Sequence, residues 1–195
     1  MTKADKTRQF IIEKTAPVFN VKGYAGTSLT DMTEATGLTK GSIYGNFNGK
    51  DEVALAVFDY NVQKLTDFIQ REIDKCVTYT DKLMVYGSIY DKIFQNPNSA
   101  GGCPILNTAI EADDTHPQLR KKALTAIMSW KNKIVSLINS GRDNREFRAD
   151  VHAEDIAITI IAMIEGGIMI SKLSGKPSYL QTVMQSVKKI ITDLK

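Results

Sequence analysis

The sequence predicts an all-α protein of about nine helices. In the longer segments, apolar residues recur three and four positions apart, which is the spacing of one buried helix face. No segment alternates apolar and polar residues as a half-buried strand does, and no internal repeat stands out. Polar stretches with glycine and proline, at 96–102 and 174–177, separate the helical segments, and the first of them also contains asparagine.

Composition places the chain among ordinary globular proteins. Its 195 residues are 43% hydrophobic, and the net charge of +3 is too small to indicate a nucleic-acid binder by itself. Cys76 and Cys103 form no disulfide framework, and the start of the chain does not resemble a signal peptide. The longest apolar run, 156–170, contains Glu165 and is short for a membrane span. We therefore expect a cytoplasmic protein that does not enter the membrane.

The first helix is predicted to follow the polar residues 1–7. It should carry Phe19 on its apolar face and end near Gly23. Pro17 lies inside this helix and cannot donate a hydrogen bond to the carbonyl of Glu13. We therefore expect a kink or a local break at Pro17.

The next stretch predicts two short helices joined by a tight turn. Leu29, Met32 and Ala35 are three positions apart and share one helix face. Thr27 and Ser28 supply side-chain oxygens that can cap the N-terminus of this helix. Gly37 follows the last apolar turn, where a helix often ends on a residue with positive φ.

The second short helix is predicted to begin at Thr39 or Lys40, with Ile43 and Phe47 on its buried face. Together the two helices have the pattern of a helix-turn-helix DNA reader, although a solvated pair of surface helices has the same spacing. Phosphate contacts are expected from Thr27, Ser28, Tyr44 and Lys50. Base contacts are expected from Gly41, Ser42, Gly45 and Asn46. Thr39 and Lys40 complete the set of predicted DNA-binding residues.

Longer helices are predicted for the rest of the chain. One runs from Asp51 to Ile73, and Pro117 fits the first position of a later one. The others are expected at 80–94, 103–112, 119–138, 152–173 and 179–194. We predict two domains, with residues 1–50 forming the helix-turn-helix domain and residues 51–195 forming the second, helical domain.

The N-terminal region also resembles a known family. The residues that carry the resemblance are Ala16, Phe19, Gly23, Tyr24, Thr27, Ser28, Ala35, Gly37, Leu38, Thr39, Lys40, Gly41, Ser42, Ile43, Tyr44, Phe47 and Lys50. In order and spacing they resemble the DNA-binding domain of the TetR/AcrR family of transcriptional regulators. The resemblance implies a homodimer, a C-terminal ligand-binding and dimerisation domain, and repression that a small molecule relieves.

Three residues depart from the pattern of that family. Thr33 stands where alanine is usual, and Gly45 and Asn46 stand where an aromatic or charged residue and a histidine are usual. Gly45 weakens the second short helix by about 1 kcal/mol relative to alanine. The departures leave the fold expectation intact, but they put the operator sequence in doubt.

Aromatic and methionine side chains recur in the C-terminal helices. A stripe of this kind is usually plain core, but in the family that the chain resembles the same helices surround a ligand cavity. Buried tyrosine hydroxyls and the tryptophan N–H need partners, so they could orient a small, mostly apolar organic effector. The predicted ligand-binding residues are Phe68, Met84, Tyr86, Tyr90, Phe94, Cys103, Leu106, Ile110, Met128 and Trp130.

Two other features of this region suggest chemistry, and we prefer simpler interpretations of both. Four residues could suggest a metal site: Glu111, Asp113, Asp114 and His116. Their spacing matches no metal signature, and capping of the helix at Pro117 explains Asp114 better. Cys103 could be a redox sensor, but nothing basic lies beside it in sequence, so a small buried residue is the preferred interpretation. No metal or cofactor is expected.

The last two helices are predicted to form a homodimer interface as a four-helix bundle. Residues 156–173 are apolar on nearly every side, and Gly166 and Gly167 permit another helix to approach closely. A buried Glu165 would need a partner, because burying a lone carboxylate is costly. The predicted interface residues are Ile160, Ile164, Gly167, Ile168, Val183, Val187 and Ile190.

These patterns favour a ligand-responsive transcriptional regulator, with operator DNA, a small organic effector and a second copy of the chain as its partners. The alternative is an all-α small-molecule carrier or enzyme in which the N-terminal helices are only a scaffold. The sequence shows no nucleophile–base pair, phosphate loop or paired carboxylates at useful spacing, so we do not expect an enzyme.

Overall fold

The computed structural model describes residues 2–89 and 101–195. Within these two ranges the chain forms nine helices and no strand, which confirms the all-α class. The helices are α1 (Lys3–Gly26), α2 (Leu29–Thr36), α3 (Lys40–Tyr44), α4 (Lys50–Ile73), α5 (Tyr79–Met84), α6 (Pro104–Ala112), α7 (Pro117–Asp143), α8 (Ala153–Ser174) and α9 (Pro177–Thr192). Tyr90 and Phe94, two predicted ligand-binding residues, lie outside the described residues.

The chain forms two compact units, and each is discontinuous in sequence. The first comprises Met1–Leu65 and Asn98–Thr125, and the second comprises Thr66–Pro97 and Ala126–Lys195. The first unit therefore contains α1 to α3, most of α4, all of α6 and the start of α7. The predicted domains, 1–50 and 51–195, group the helices differently. They remain a prediction about which residues carry the DNA-binding function and which carry ligand binding and dimerisation.

One apolar cluster holds the N-terminal helices of the first unit together. Ile11 of α1, Met32 of α2 and Ile43 of α3 are all 0% exposed. Phe47 follows α3, is 2% exposed and joins the same cluster, which extends to Val53 of α4. Because Ile43 and Phe47 lie four positions apart, they anchor one face of the α3 segment and leave its other face toward solvent.

The break in the first helix lies at a different residue from the one that was predicted. Within α1 the non-helical conformation is at Gly23, with φ +73° and ψ −179°, and not at Pro17. Pro17 is exposed, so water can satisfy the carbonyl of Glu13 that loses its donor. Glycine adopts a positive φ without a steric penalty, which makes Gly23 the easier place to interrupt the helix.

In the second unit, α8 and α9 pack against each other. Ile164 of α8 and Val187 of α9 are both 0% exposed. A β-carbon at Gly167 would lie 3.1 Å from Val183, whereas one at Gly166 would meet nothing within 4 Å. Of the two glycines that were predicted to allow close approach, Gly167 is therefore the one that faces α9.

By length and composition alone, α8 is apolar enough to cross a membrane. Its packing against α9 gives another reason for the composition, because Ala157, Ile160, Ile161, Ile164 and Ile168 are all buried inside the second unit. A mostly apolar helix in the core of a soluble protein has the same signature.

Candidate nucleic-acid interface

The N-terminus of α2 is closed by a reciprocal capping arrangement between Ser28 and Asp31. The Ser28 hydroxyl accepts a hydrogen bond from the Asp31 N–H at 3.1 Å, and the Asp31 carboxylate accepts one from the Ser28 N–H at 2.7 Å. Lys22 forms an ion pair with the same carboxylate. The hydrogen bonds from Lys22 and Ser28 hold the pKa of Asp31 well below its usual range. The start of α2 is therefore fixed by local contacts that the sequence reveals.

The turn between α2 and α3 has the positive φ that was expected at Gly37. Gly37 adopts a left-handed conformation with φ +68°, and its N–H donates to the carbonyl of Thr33 at 2.8 Å. Thr39 then caps α3, because its hydroxyl accepts from the Ser42 N–H at 3.2 Å. The result is a short helix, a tight turn and a second short helix, as expected for a helix-turn-helix.

The outer face of α3 carries many of the predicted DNA contacts. Thr39, Lys40, Gly41 and Gly45 are exposed, and Ser42, Tyr44 and Asn46 are half-buried. Gly41 and Gly45 lie one turn apart and carry no side chain, so a ligand can approach the backbone closely at these two positions. This face combines a cation, hydroxyl groups and accessible backbone, a set that suits phosphates and base edges.

Thr27 and Asn46, two further predicted contact residues, also bond within the protein. Thr27 is 0% exposed, and its hydroxyl donates to the carbonyl of Gly23 at 2.6 Å. The predicted phosphate contact from Thr27 therefore needs correction, because this side chain faces the interior. The side-chain amide of Asn46 donates to the carbonyl of Ser42 at 2.8 Å, so that donor is directed at its own segment.

Arg8 supports the segment that follows α3, and the sequence reading did not find it. Its guanidinium donates to the carbonyl of Asn46 and to the carboxylate of Glu52, both at 2.5 Å. The same guanidinium lies 4.0 Å from the centre of the Phe47 ring. Arg8 thus joins α1 to the segment that follows α3 and to the first turn of α4. Its partners lie about forty positions away, so no local pattern announces the contact.

Lys50 opens α4 and is held beside Tyr24. Its ammonium lies 4.5 Å from the centre of the Tyr24 ring and donates to the carbonyl of Ala25 at 3.4 Å. The Tyr24 hydroxyl donates to Asp51, which raises the pKa of Tyr24 to about 12. Lys50 is half-buried, so its position is set by the ring while part of the side chain faces solvent.

The predicted ligand-binding residues have mixed environments. Tyr86 is 2% exposed, and burial raises the pKa of its hydroxyl. Its ring centre lies 6.3 Å from that of Trp130. Ile110 is 62% exposed and Met128 is 42% exposed, so neither lines an enclosed cavity as the prediction required. Cys103 is buried, and Phe68, Met84 and Leu106 are half-buried.

A small cavity of about 30 Å³ lies in the first unit, and its lining includes none of the predicted ligand-binding residues that the structure describes. The lining residues are Phe19, Asn20, Gly23, Tyr24, Ala54, Val57, Phe58, Asn61, Pro104, Asn107, Thr108, Glu111 and Leu119. A volume of this size holds about one or two water molecules, so it does not admit an organic effector. Glu111, which was considered as a metal ligand, lines this cavity and is hydrogen-bonded to backbone amides.

Several predicted dimer residues are used inside one subunit. Ile160, Ile164 and Val187 are 0% exposed and Ile168 is 2% exposed, so they cannot offer surface to a second copy. Gly167 is also buried, and Val183 and Ile190 are half-buried. The exposed apolar residues of α8 and α9 are Ile158, Met169, Ile170, Leu173 and Tyr179. In a helix that is apolar on every side, the hydrophobic periodicity does not distinguish the face that packs inside the subunit from the face that is left exposed.

Comparisons with known proteins cover nearly the whole chain. Residues 11–57 match the family described as bacterial regulatory proteins of the tetR family, and residues 80–187 match the tetracyclin repressor-like C-terminal domain. The crystal structure of a TetR-family transcriptional regulator from Cytophaga hutchinsonii is 49% identical, with a TM-score of 0.94, over 100% of this chain and 98% of that one. A TetR transcriptional regulator from Chloroflexus aurantiacus is 36% identical, with a TM-score of 0.93, over 98% and 97% of the two chains. The transcriptional repressor DhaR of Mycobacterium sp. strain GP1 is 27% identical over 85% of this chain and 82% of its own.

Proposed function

Because the chain belongs to the TetR family of transcriptional regulators, which bind operator DNA and act as dimers, we propose that it is a repressor released by a small, mostly apolar effector. Members of this family are regulators and not enzymes. The observation that carries the proposal is that the α3 segment has one buried face and one exposed face. Ile43 and Phe47 fix its inner face in the core, while Lys40, Gly41 and Gly45 stand exposed on the outer face.

The outer face of α3 enters a major groove of the operator. Lys40 and the exposed Ser28 bind phosphates, and Ser42 together with the backbone at Gly41 and Gly45 approaches the bases. Two reading heads in a dimer meet successive groove faces about 34–36 Å apart, or a multiple of that distance. With Tyr44 and Lys50 as further phosphate contacts, each subunit makes four, and the resulting total of about eight contacts per dimer gives a slope near −7 in a plot of log affinity against log salt.

An electrophoretic mobility-shift titration with the DNA upstream of the protein's own gene tests this function. Lys40→Ala should weaken binding and make the salt slope shallower by about two for a dimer, because one phosphate contact per subunit is lost. Lys64→Ala is the matched control, since it removes the same charge from an exposed position on α4. Absence of salt-sensitive binding by the wild-type protein would refute DNA binding at this site.

The exposed apolar residues of α8 and α9 form the dimer interface in this proposal. Leu173 is 82% exposed and Ile158 is 57% exposed, and with Met169, Ile170 and Tyr179 they leave one side of the pair uncovered within a subunit. Surface of this kind is stabilised when a second copy covers it. Light scattering at micromolar concentration should give a dimer, and a clean monomer of 21.6 kDa would contradict the interface.

The effector binds in the second unit near Tyr86 and Trp130. The two rings lie close together, and the half-buried Phe68 and Met84 add apolar surface in the same unit. Trp130 is the single tryptophan, so its fluorescence reports on this region alone. A panel of small aromatic compounds should include one that changes the fluorescence, raises the melting temperature and weakens operator binding, with Trp130→Phe as the optical control. If no compound produced these three effects together, the effector site would be refuted.

A further inference from the structure

The interruption of α1 at Gly23 leaves two backbone groups without the partners that a continuous helix would give them. In a regular helix the N–H of Tyr24 would donate to the carbonyl of Asn20. With φ +73° and ψ −179° at Gly23, the chain turns that N–H away from the helix axis. Buried or half-buried backbone groups of this kind need replacement partners, because leaving them unsatisfied is costly.

α6 supplies both replacements from one face. Asn107 donates its side-chain amide to the carbonyl of Asn20 at 3.1 Å. Glu111, one turn later on α6, accepts from the N–H of Tyr24 at 2.6 Å and from the N–H of Ala25 at 2.7 Å. Asn107 therefore satisfies the freed carbonyl, and Glu111 satisfies the freed amide of Tyr24 together with the amide of the next residue, Ala25. The carboxylate also lies at the N-terminus of the short turn that follows the break, where negative charge is favoured.

Glycine at position 23 leaves the space that the Glu111 carboxylate occupies. A β-carbon at Gly23 would lie 2.5 Å from the nearer carboxylate oxygen of Glu111, and the positive φ would be strained for any other residue. Gly26, three positions later, has no such constraint, since its added β-carbon would meet only Lys22 at 3.6 Å. Gly23 and Gly26 can therefore be compared directly. An added methyl group disturbs the contact with α6 at Gly23 but not at Gly26.

The break determines how the reading helices leave α1. The carbonyl of Gly23 accepts the hydroxyl of the buried Thr27, and the next residue, Ser28, caps α2. A continuous helix through Gly23 would turn the Thr27 hydroxyl and the start of α2 to a different direction, because every residue adds about 100° of rotation. The interrupted form, which is the form observed, is the one that the contacts with α6 hold.

We infer that Asn107 and Glu111 are positioning residues for DNA reading, because they hold α1 in its interrupted form and so set the direction of α2 and α3. This inference rests on the proposed function of the α3 face. It makes α6 a part of the reading unit, in agreement with its grouping with α1 to α3. Neither side chain needs to touch DNA.

Operator titrations of matched variants test the inference. Glu111→Ala and Gly23→Ala should each weaken operator binding at least tenfold, and the double variant should be no weaker than either single variant, because both changes remove the same contact. Asp113→Ala removes the same charge from an exposed site just beyond α6, and Gly26→Ala adds the same methyl group, and both should stay within twofold of wild type. Affinities of the Glu111 and Gly23 variants within twofold of wild type, or multiplied losses in the double variant, would overturn the inference.

A second readout separates the contact from a general loss of folding and from failure of the proposed function. In amide proton spectra of the full-length protein, Glu111→Ala should shift the Tyr24 and Ala25 resonances upfield, since both protons lose a charged acceptor. Glu111→Gln, which keeps the shape but offers one good acceptor, should give a smaller shift. Unchanged resonances would overturn the inference whatever the DNA result. Shifted resonances in a protein whose wild type binds no DNA would instead refute the proposed function, and the support of α1 by α6 would then serve the fold alone.

Discussion

Replacing Arg8 with alanine should destabilise the first unit by about 2 kcal/mol. The guanidinium donates to the Asn46 carbonyl and the Glu52 carboxylate and lies over the Phe47 ring. Because the side chain is 38% exposed, we take about 0.8 kcal/mol for each hydrogen bond and about 0.5 kcal/mol for the ring contact. For a chain of this size the sum corresponds to a fall of about 4–8 °C in the melting temperature. Operator affinity should also fall several-fold, because the hydrogen bond from Arg8 to the carbonyl of Asn46 fixes the end of the α3 segment.

Thermal unfolding followed by circular dichroism measures the first effect, and the mobility-shift titration measures the second. Arg8→Lys should recover about half of the lost stability, since lysine keeps the charge but cannot donate to two acceptors from one planar group. Arg120→Ala is the matched control, because Arg120 is exposed in the same unit and its side chain has no ion pair among the described residues. A change below about 1 °C for Arg8→Ala would show that these contacts contribute little in solution.

Three further predictions follow from local features. Asp31 has a folded pKa below its ordinary value of 3.8, so its stabilisation is complete above that value and is lost as the pH falls through the lower folded pKa. Asp31→Asn should therefore make the melting temperature less dependent on pH below about 4, and an unchanged acid limb would contradict this. Gly37→Ala should cost about 1–2 kcal/mol by denaturant unfolding, because φ is +68° while no atom crowds the added methyl group, and a neutral result would disprove strain at the turn. Leu173→Glu should weaken the dimer at least tenfold by sedimentation while leaving the helical content unchanged, and an unaltered dimer would place the interface elsewhere.

The reading helices could be predicted in detail because their signals are local. Ser28, Gly37 and Thr39 act within four residues of themselves, as a cap, a left-handed helix end and a second cap. The spacing of Ile43 and Phe47 then identified the buried face without knowledge of any other helix. Caps and glycine turns are encoded in short windows, so a single sequence is enough to find them.

The supports of the reading helices could not be predicted in the same way. Glu111 and the amides that it binds are separated by 86 and 87 positions, and Arg8 lies 38 and 44 positions from its two hydrogen-bond partners. An acidic residue near the end of a helix is common on protein surfaces, so the sequence indicates no particular role for Glu111. Its role becomes visible only when the structure places it beside Gly23. The side of α8 that faces α9 could not be predicted either. Apolar residues surround this helix, so its hydrophobic periodicity does not single out one buried face.

The discontinuous first unit has a consequence for biosynthesis and for protein engineering. Since Asn98–Thr125 completes the unit that contains α1, the ribosome must synthesise the chain through Glu111 before the interruption at Gly23 can receive its acceptor from α6. A chimera that joins this N-terminal segment to another sensor at residue 65 would leave out that acceptor. Such a hybrid regulator should carry α6 along with the head, or be given a substitute for Asn107 and Glu111 at the junction.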